Sequence, residues 1–241
     1  MSRPKHHLIS AIPYPNTVLP RHINYLATAR ELYWLDEAGP SRPNLQVIRK
    51  ANIGGEDSKV RAIVDVGGDQ VKSKVDVEAD TSVVGGLSID WISKILYYAR
   101  VDSSTSESSS IFATRLDGSS TVLIKKVAAL VKDLVVVPEL GILFWHEVNA
   151  ENRTENVMRS WMDGTDITRL YSRQHGDEDD GVVRCLTYSL STGVIYWMEN
   201  QSLKQYHLAS GNNVIRHLLA LLNFENECFA GNVIPLRLNF V

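Results

Sequence analysis

Gly86-Leu87-Ser88-Ile89-Asp90, Ile95-Leu96-Tyr97-Tyr98-Ala99, Ile111-Phe112-Ala113-Thr114-Arg115-Leu116 and Thr121-Val122-Leu123-Ile124 are four short runs that follow one another within residues 86–124. The first alternates apolar and polar side chains, the period of a strand with two unlike faces. The second is apolar on both faces, which suits a strand sandwiched between neighbouring sheets. Trp91-Ile92-Ser93-Lys94 reads as the turn between them. Asp117-Gly118 permits the positive φ that a tight hairpin between the third and fourth runs demands. The stretch therefore predicts four successive strands, the last of them outermost.

The same grammar recurs across the chain. Aromatic pairs stand at Tyr33-Trp34, Tyr97-Tyr98, Phe144-Trp145 and Tyr196-Trp197. Each is followed by a second apolar run and a glycine-containing turn: Ile53-Gly54-Gly55, Leu116-Asp117-Gly118, Met162-Asp163-Gly164 and Ala209-Ser210-Gly211. The last glycines fall at 55, 118, 164 and 211, spacings of 63, 46 and 47 residues. A β-propeller blade needs about 40 to 50 residues for four short strands and their turns. The long first spacing is then a unit with an insertion, placed within Asp65–Asp80. The expected units are residues 21–80, 81–127, 128–178 and 179–225. They follow a Pro-containing extended segment, 1–20, and precede a C-terminal segment, 226–241, that begins a further blade or ends the fragment. Val214–Leu222 suits an outer strand or a short helix equally, because its apolar spacing fits both periods.

The wording resembles the LDL-receptor class B repeat, the YWTD repeat of six-bladed β-propellers. The resemblance rests on Gly86-Leu87-Ser88-Ile89-Asp90-Trp91, on Leu96-Tyr97-Tyr98 and on Arg115-Leu116-Asp117-Gly118, with Asp163-Gly164 as a second hairpin, and it covers residues 20–225. The Thr-Asp half of the signature is lost. The two positions after each aromatic pair are Leu35-Asp36, Ala99-Arg100, His146-Glu147 and Met198-Glu199, so three of the four keep an acid. Repeats worn in this way are similar to those in ectodomains of sevenless/Ros-type receptor tyrosine kinases. The fold class implied is all-β, a six-bladed-type propeller present as about four blades of an incomplete ring. Asp90 and Asp133 are the candidate inner-strand acids, and the resemblance gives each the family's ordinary structural Asp position. Trp34, Tyr98, Trp145 and Trp197 are expected to pack between blades, where aromatics on central strands bury large areas.

Length and composition allow one large β domain: 241 residues, 44% of them apolar. A net charge of −3 gives no argument for nucleic acid. No apolar run reaches the ~18 residues of a membrane span. Leu8–Leu19 is broken by Pro13, Pro15 and Asn16, so residues 1–20 do not read as a signal peptide. A six-unit ring needs roughly 250 residues at about 42 each, so the simplest expectation is an internal fragment of a longer protein. Two sequons, Asn152-Arg153-Thr154 and Asn200-Gln201-Ser202, support an exported origin, and both follow an aromatic second strand. Cys185 sits in an expected inner strand and Cys228 in a loose segment. A buried thiol and a Cys185–Cys228 bridge both remain open.

Residues with chemistry are few. Asp177-Glu178-Asp179-Asp180 clusters carboxylates as a calcium site would, without the spacing of a known loop; a solvated loop between blades explains it as well. Ser103–Ser110 is low in complexity and reads as a mobile loop. The histidines at 6, 7, 22, 146, 175, 207 and 217 lack metal-ligand spacing, apart from the adjacent His6-His7. His146 and Glu147 are placed to line the ring's central face. No nucleophile motif, P-loop or dinucleotide fingerprint occurs.

The functional expectation is recognition: an extracellular protein-binding or structural module of a single-pass cell-surface receptor, of LDL-receptor-related or sevenless/Ros type. It would carry no cofactor, metal, nucleic acid or membrane insertion, and would meet a protein ligand or neighbouring ectodomain modules. The alternatives are a calcium-dependent propeller hydrolase using inner-strand acids and a non-functional truncated fragment whose open edges aggregate.

Overall fold

A computed structural model of the protein describes residues 20–37, 46–53, 61–65, 84–102, 107–174, 183–199, 202–208 and 216–219. These residues form four antiparallel sheets of four strands each, with strand order following the chain. The first holds β1 (Arg21–Leu26), β2 (Glu31–Glu37), β3 (Gln46–Asn52) and β4 (Arg61–Asp65). The second holds β5 (Val84–Asp90), β6 (Ile95–Val101), β7 (Ser109–Arg115) and β8 (Thr121–Val127). The third holds β9 (Leu130–Val137), β10 (Ile142–Asn149), β11 (Thr154–Trp161) and β12 (Thr168–Gln174). The fourth holds β13 (Val183–Ser189), β14 (Val194–Glu199), β15 (Ser202–His207) and β16 (Arg216–Leu219). Among the described residues there is no α-helix, only a 3-10 turn at Pro138–Leu140. The chain is all-β with the sheets of an incomplete propeller, and Arg216–Leu219, inside the ambiguous run at 214–222, form an outer strand.

A shared turn builds each sheet. The residue just before the second strand is left-handed in all four: Arg30 (φ 53°), Lys94 (φ 57°), Gly141 (φ 66°) and Gly193 (φ 66°). Gly118 (φ 76°) and Gly164 (φ 82°) do the same in the third-to-fourth hairpins. Asp117 Oδ1 accepts the Ser119 N–H at 2.9 Å, and Asp163 Oδ1 accepts the Thr165 N–H at 2.9 Å. Each Asp-Gly pair thus supplies both the positive φ and a side chain that closes the turn.

Adjacent sheets meet along their first strands. β5 and β9 approach so closely that a Cβ on Gly85 would lie 1.6 Å from the Val131 carbonyl oxygen, and one on Gly86 would lie 2.6 Å from the Leu134 nitrogen. Further along, Ser88 Oγ accepts the Val136 N–H at 3.1 Å. Positions 85, 86 and 88 therefore meet 131, 134 and 136, so the two strands run in the same direction. Ser109 Oγ accepts the Val131 N–H at 3.0 Å from the other side. That contact corrects the loop reading of Ser103–Ser110 at its last two residues: Ser109 and Ser110 belong to β7 and are buried, and the neighbouring first strand uses the Ser109 hydroxyl, while residues 103–106 lie outside the described residues.

The core lies between sheets, and the aromatic pairs divide between its compartments. Tyr33 and Tyr98 share one cluster with Leu26, Ile48, Leu87 and Leu96. Tyr97 and Trp145 share the next with Ile111, Val131 and Leu143. Phe144 and Trp197 share the third with Val157, Leu170, Leu186 and Ile195. In these three compartments the first aromatic faces the following sheet and the second faces the preceding one, as the two-residue period of a strand requires. Trp34, the second aromatic of the first pair, is buried but belongs to none of them. Tyr196 is the first aromatic of the fourth pair. It is only half-buried, on the face with no following sheet among the described residues.

Candidate functional site

The strand registers locate the inner-strand acids and correct one expectation. Leu87 lies opposite Tyr98 and Leu134 opposite Trp145, which aligns β5 with β9. Asp90 then sits three places after that reference residue and Asp133 one place before it. The two acids do not share a position. Asp90 lies opposite Ile95 at the end of its strand, where its Oδ1 accepts the N–H groups of Ile92 and Ser93 at 2.8 and 2.9 Å. Its task is to close the Trp91–Lys94 turn.

Asp133 occupies a different environment. The matching places on the other first strands are His22, Gly86 and Cys185. In β1 and β13 the register slips by one residue, so that His22 and Ile23 together face Trp34, and Cys185 and Leu186 together face Trp197. His22 (φ 49°) and Cys185 (φ 57°) take left-handed backbone there. Asp133 Oδ1 accepts the adjacent Leu134 N–H at 2.8 Å, and its Oδ2 accepts the Leu186 N–H of β13 at 2.8 Å. One carboxylate thus ties the third sheet to the fourth. Burial pushes its pKa up, against the opposing pull of the His22 charge, the two amides and His146. Burial pulls the His22 imidazole down, opposed by Asp133 and reinforced by Arg21.

His146 lies opposite Asp133 on β10 and is fully buried. It does not line an open central face, because its side chain is fully buried beside Glu155. Its Nε2 is 3.5 Å from Glu155 Oε2, a distance of charge contact rather than of a good hydrogen bond. That same Glu155 oxygen accepts the Val183 N–H of β13 at 3.0 Å. Asp133, His146 and Glu155 are therefore a buried polar cluster, with the partly exposed His22 acting on Asp133 through its charge, and the two carboxylates hold backbone amides of the fourth sheet. Among the described residues no group of three His, Cys, Asp or Glu side chains has an arrangement that could hold a metal ion.

The acids retained after the aromatic pairs are likewise committed to structure. Asp36 is buried and pairs with Arg49 at 2.9 Å. Glu147 Oε2 accepts the Trp145 indole N–H at 2.7 Å and Oε1 accepts from Asn156 Nδ2 at 3.3 Å. Glu199 faces Arg173 of the third sheet at 3.7 Å and Lys204 at 3.8 Å. In the second unit, where the acid is replaced, Arg100 lies over the Phe112 ring at 5.1 Å.

Among the described residues, exposed large apolar side chains include Ile23 and Tyr25 on β1 and Val122 and Leu123 on β8, and a further set in or beside the turns at one end of the sheets. Ile92, Leu140 and Leu190 stand in the first-to-second-strand turns, and Trp161 and Ile167 flank the third-to-fourth turn of the third sheet. In an antiparallel meander both classes of turn fall at the same end. Asn152 lies at the other end, exposed in the turn between β10 and β11. Cys185 is not a free thiol. Cys228, Asn200 and the acidic run 177–180 lie outside the described residues. No helix among the described residues is long and apolar enough to cross a membrane.

No family model matches the chain. Among solved structures it is similar to the nidogen/laminin complex, with a TM-score of 0.57 and 16% identity over 80% of this chain and 62% of that one. It is similar to TolB of Agrobacterium tumefaciens, with a TM-score of 0.55 and 11% identity over 83% of this chain and 65% of that one. TolB of Acinetobacter baumannii gives 0.54 and 11%, over 78% of this chain and 41% of that one. The chain thus spans less than two thirds of the length of each. At such identities the likeness concerns architecture alone: this is a β-propeller fold.

Proposed function

We propose that this chain is part of an extracellular β-propeller that acts by recognition, as a protein-binding or structural module of an LDL-receptor-related or sevenless/Ros-type cell-surface receptor. The observation that carries the reading is the employment of the strand-borne acids. Asp90 closes a turn, Asp133 and Glu155 hold amides of the next sheet, and Asp36, Glu147 and Glu199 hold side chains of the scaffold. Acids engaged in this way support a rigid scaffold more than general acid–base chemistry. A protein partner would meet the turn end, where Ile92, Leu140 and Leu190 are exposed on rigid hairpins. The nidogen relative, determined in complex with laminin, is a precedent for a propeller of this architecture beside a protein partner.

Immobilised protein screened against secreted and cell-surface ectodomains is expected to give saturable binding at about 10 μM or tighter. The competing reading, a calcium-dependent propeller hydrolase, predicts a large rise in Tm with millimolar calcium and turnover of aryl esters or lactones. Turnover that disappears in Asp133→Asn would replace the recognition reading.

A further inference from the structure

We propose that Asn152 is an acceptor for an asparagine-linked oligosaccharide, and that the sugar shields the end of the propeller opposite the exposed apolar turns. The inference rests on the exported character proposed above and adds to it which end remains open to a partner. Residues 150–153 form the tight turn that joins β10 to β11, and Ala150, Glu151, Asn152 and Arg153 are all exposed. The β10–β11 ladder is regular up to the pair Asn149 and Thr154 on either side of the turn. Asn149 Oδ1 accepts the Asn152 N–H at 3.0 Å and fixes the turn without using the Asn152 side chain. A bulky group on Asn152 therefore displaces no core residue and breaks no ladder bond.

The chemistry balances without a redox partner. Asn152 Nδ2 attacks the first sugar carbon of a lipid pyrophosphate-linked oligosaccharide. The bond from that carbon to the pyrophosphate oxygen breaks, a nitrogen–carbon bond forms, one amide proton passes to the transferase, and the lipid pyrophosphate leaves. Thr154 supplies the hydroxyl residue that the Asn-x-Thr signal requires. The second sequon, at 200–202, spans the corresponding connection of the next sheet, between Glu199 of β14 and Ser202 of β15. Its asparagine lies outside the described residues and is no part of the site argued here. Sugar on the second-to-third-strand end leaves the turn end, with Ile92, Leu140 and Leu190, as the face free to dock a protein.

The test expresses the full chain behind a foreign signal peptide in animal cells and maps glycopeptides by mass spectrometry before and after peptide N-glycosidase. Occupancy at Asn152 is expected, with enzymatic release converting it to Asp. Asn152→Gln and Thr154→Ala should each remove that glycopeptide, while Thr154→Ser should keep it. An exported chain with Asn152 unmodified overturns this inference and leaves the recognition reading standing. Endogenous full-length protein found only in the cytosol overturns the receptor reading, and with it any natural glycan, whatever the engineered export shows.

Discussion

Asp133 and His22 are matching positions on different first strands, and burial works on them in opposite senses. His22 is held below its usual value. Between its folded value and the ordinary ~6.5, the unfolded chain binds more protons than the folded one, so its contribution to stability falls as pH drops below ~6.5. Asp133 is held above its usual value. There the folded chain keeps its proton longer, so this contribution declines as pH rises from ~3.9 through the folded value. His22→Gln is expected to flatten the loss of Tm on acidification below neutrality, and a steeper loss would contradict the assignment. Asp133→Ala leaves the Leu186 amide without its carboxylate and should cost about 1–3 kcal/mol in denaturant unfolding.

The hairpins and the sheet-to-sheet seams obey separate constraints on glycine. At Gly85 the constraint is space. Alanine there would drive a methyl into the Val131 carbonyl, and a loss at or beyond the ~1–3 kcal/mol of ordinary overpacking is expected. At Gly193 nothing lies within 4 Å and the constraint is the left-handed backbone, so Gly193→Ala should cost about 1–2 kcal/mol. Lys94 holds the same backbone position with a side chain. Lys94→Gly relieves that strain at the expense of unfolded-state entropy and should stabilise by up to about 1 kcal/mol. Chemical denaturation of the three variants checks the ordering, and equal losses for Gly85→Ala and Gly193→Ala would refute the distinction.

At the scale of the whole molecule, the two aromatics of a pair lie on opposite sides of their sheet. Trp197 is fully buried against the third sheet, and Trp197→Ala should cost about 3–5 kcal/mol. Tyr196 faces the side with no following sheet among the described residues and is only half-buried, so Tyr196→Ala should cost about 1 kcal/mol or less in this chain. Joined to further blades, the same Tyr196 substitution should become as costly as one at Phe144. The recognition surface is tested in the same frame. Ile92→Asp or Leu140→Asp should weaken partner binding at least tenfold while leaving Tm unchanged, because both side chains are exposed.

The strands were legible because alternation and turn chemistry are local. Gly86–Asp90, Ile95–Ala99 and Thr121–Ile124 lie within β5, β6 and β8, and Asp117-Gly118 and Asp163-Gly164 form hairpin turns. The shared left-handed residue before each second strand was not legible, since two sheets use Gly and the others use Arg30 and Lys94. The inner-strand cluster was hidden as well. A one-residue slip in β1 and β13 puts His22 and Cys185, the counterparts of Asp133, in bulges with left-handed backbone, and no composition signal marks such a slip. The amino-acid sequence by itself determined the repeat, the all-β class and the aromatic pairs, because each follows from neighbours within one strand or turn. Only the tertiary structure decided what the acids hold, which aromatic enters which compartment and which end carries exposed apolar side chains. Those depend on the register and on the close approach of β5 to β9, which bring together residues far apart in the chain.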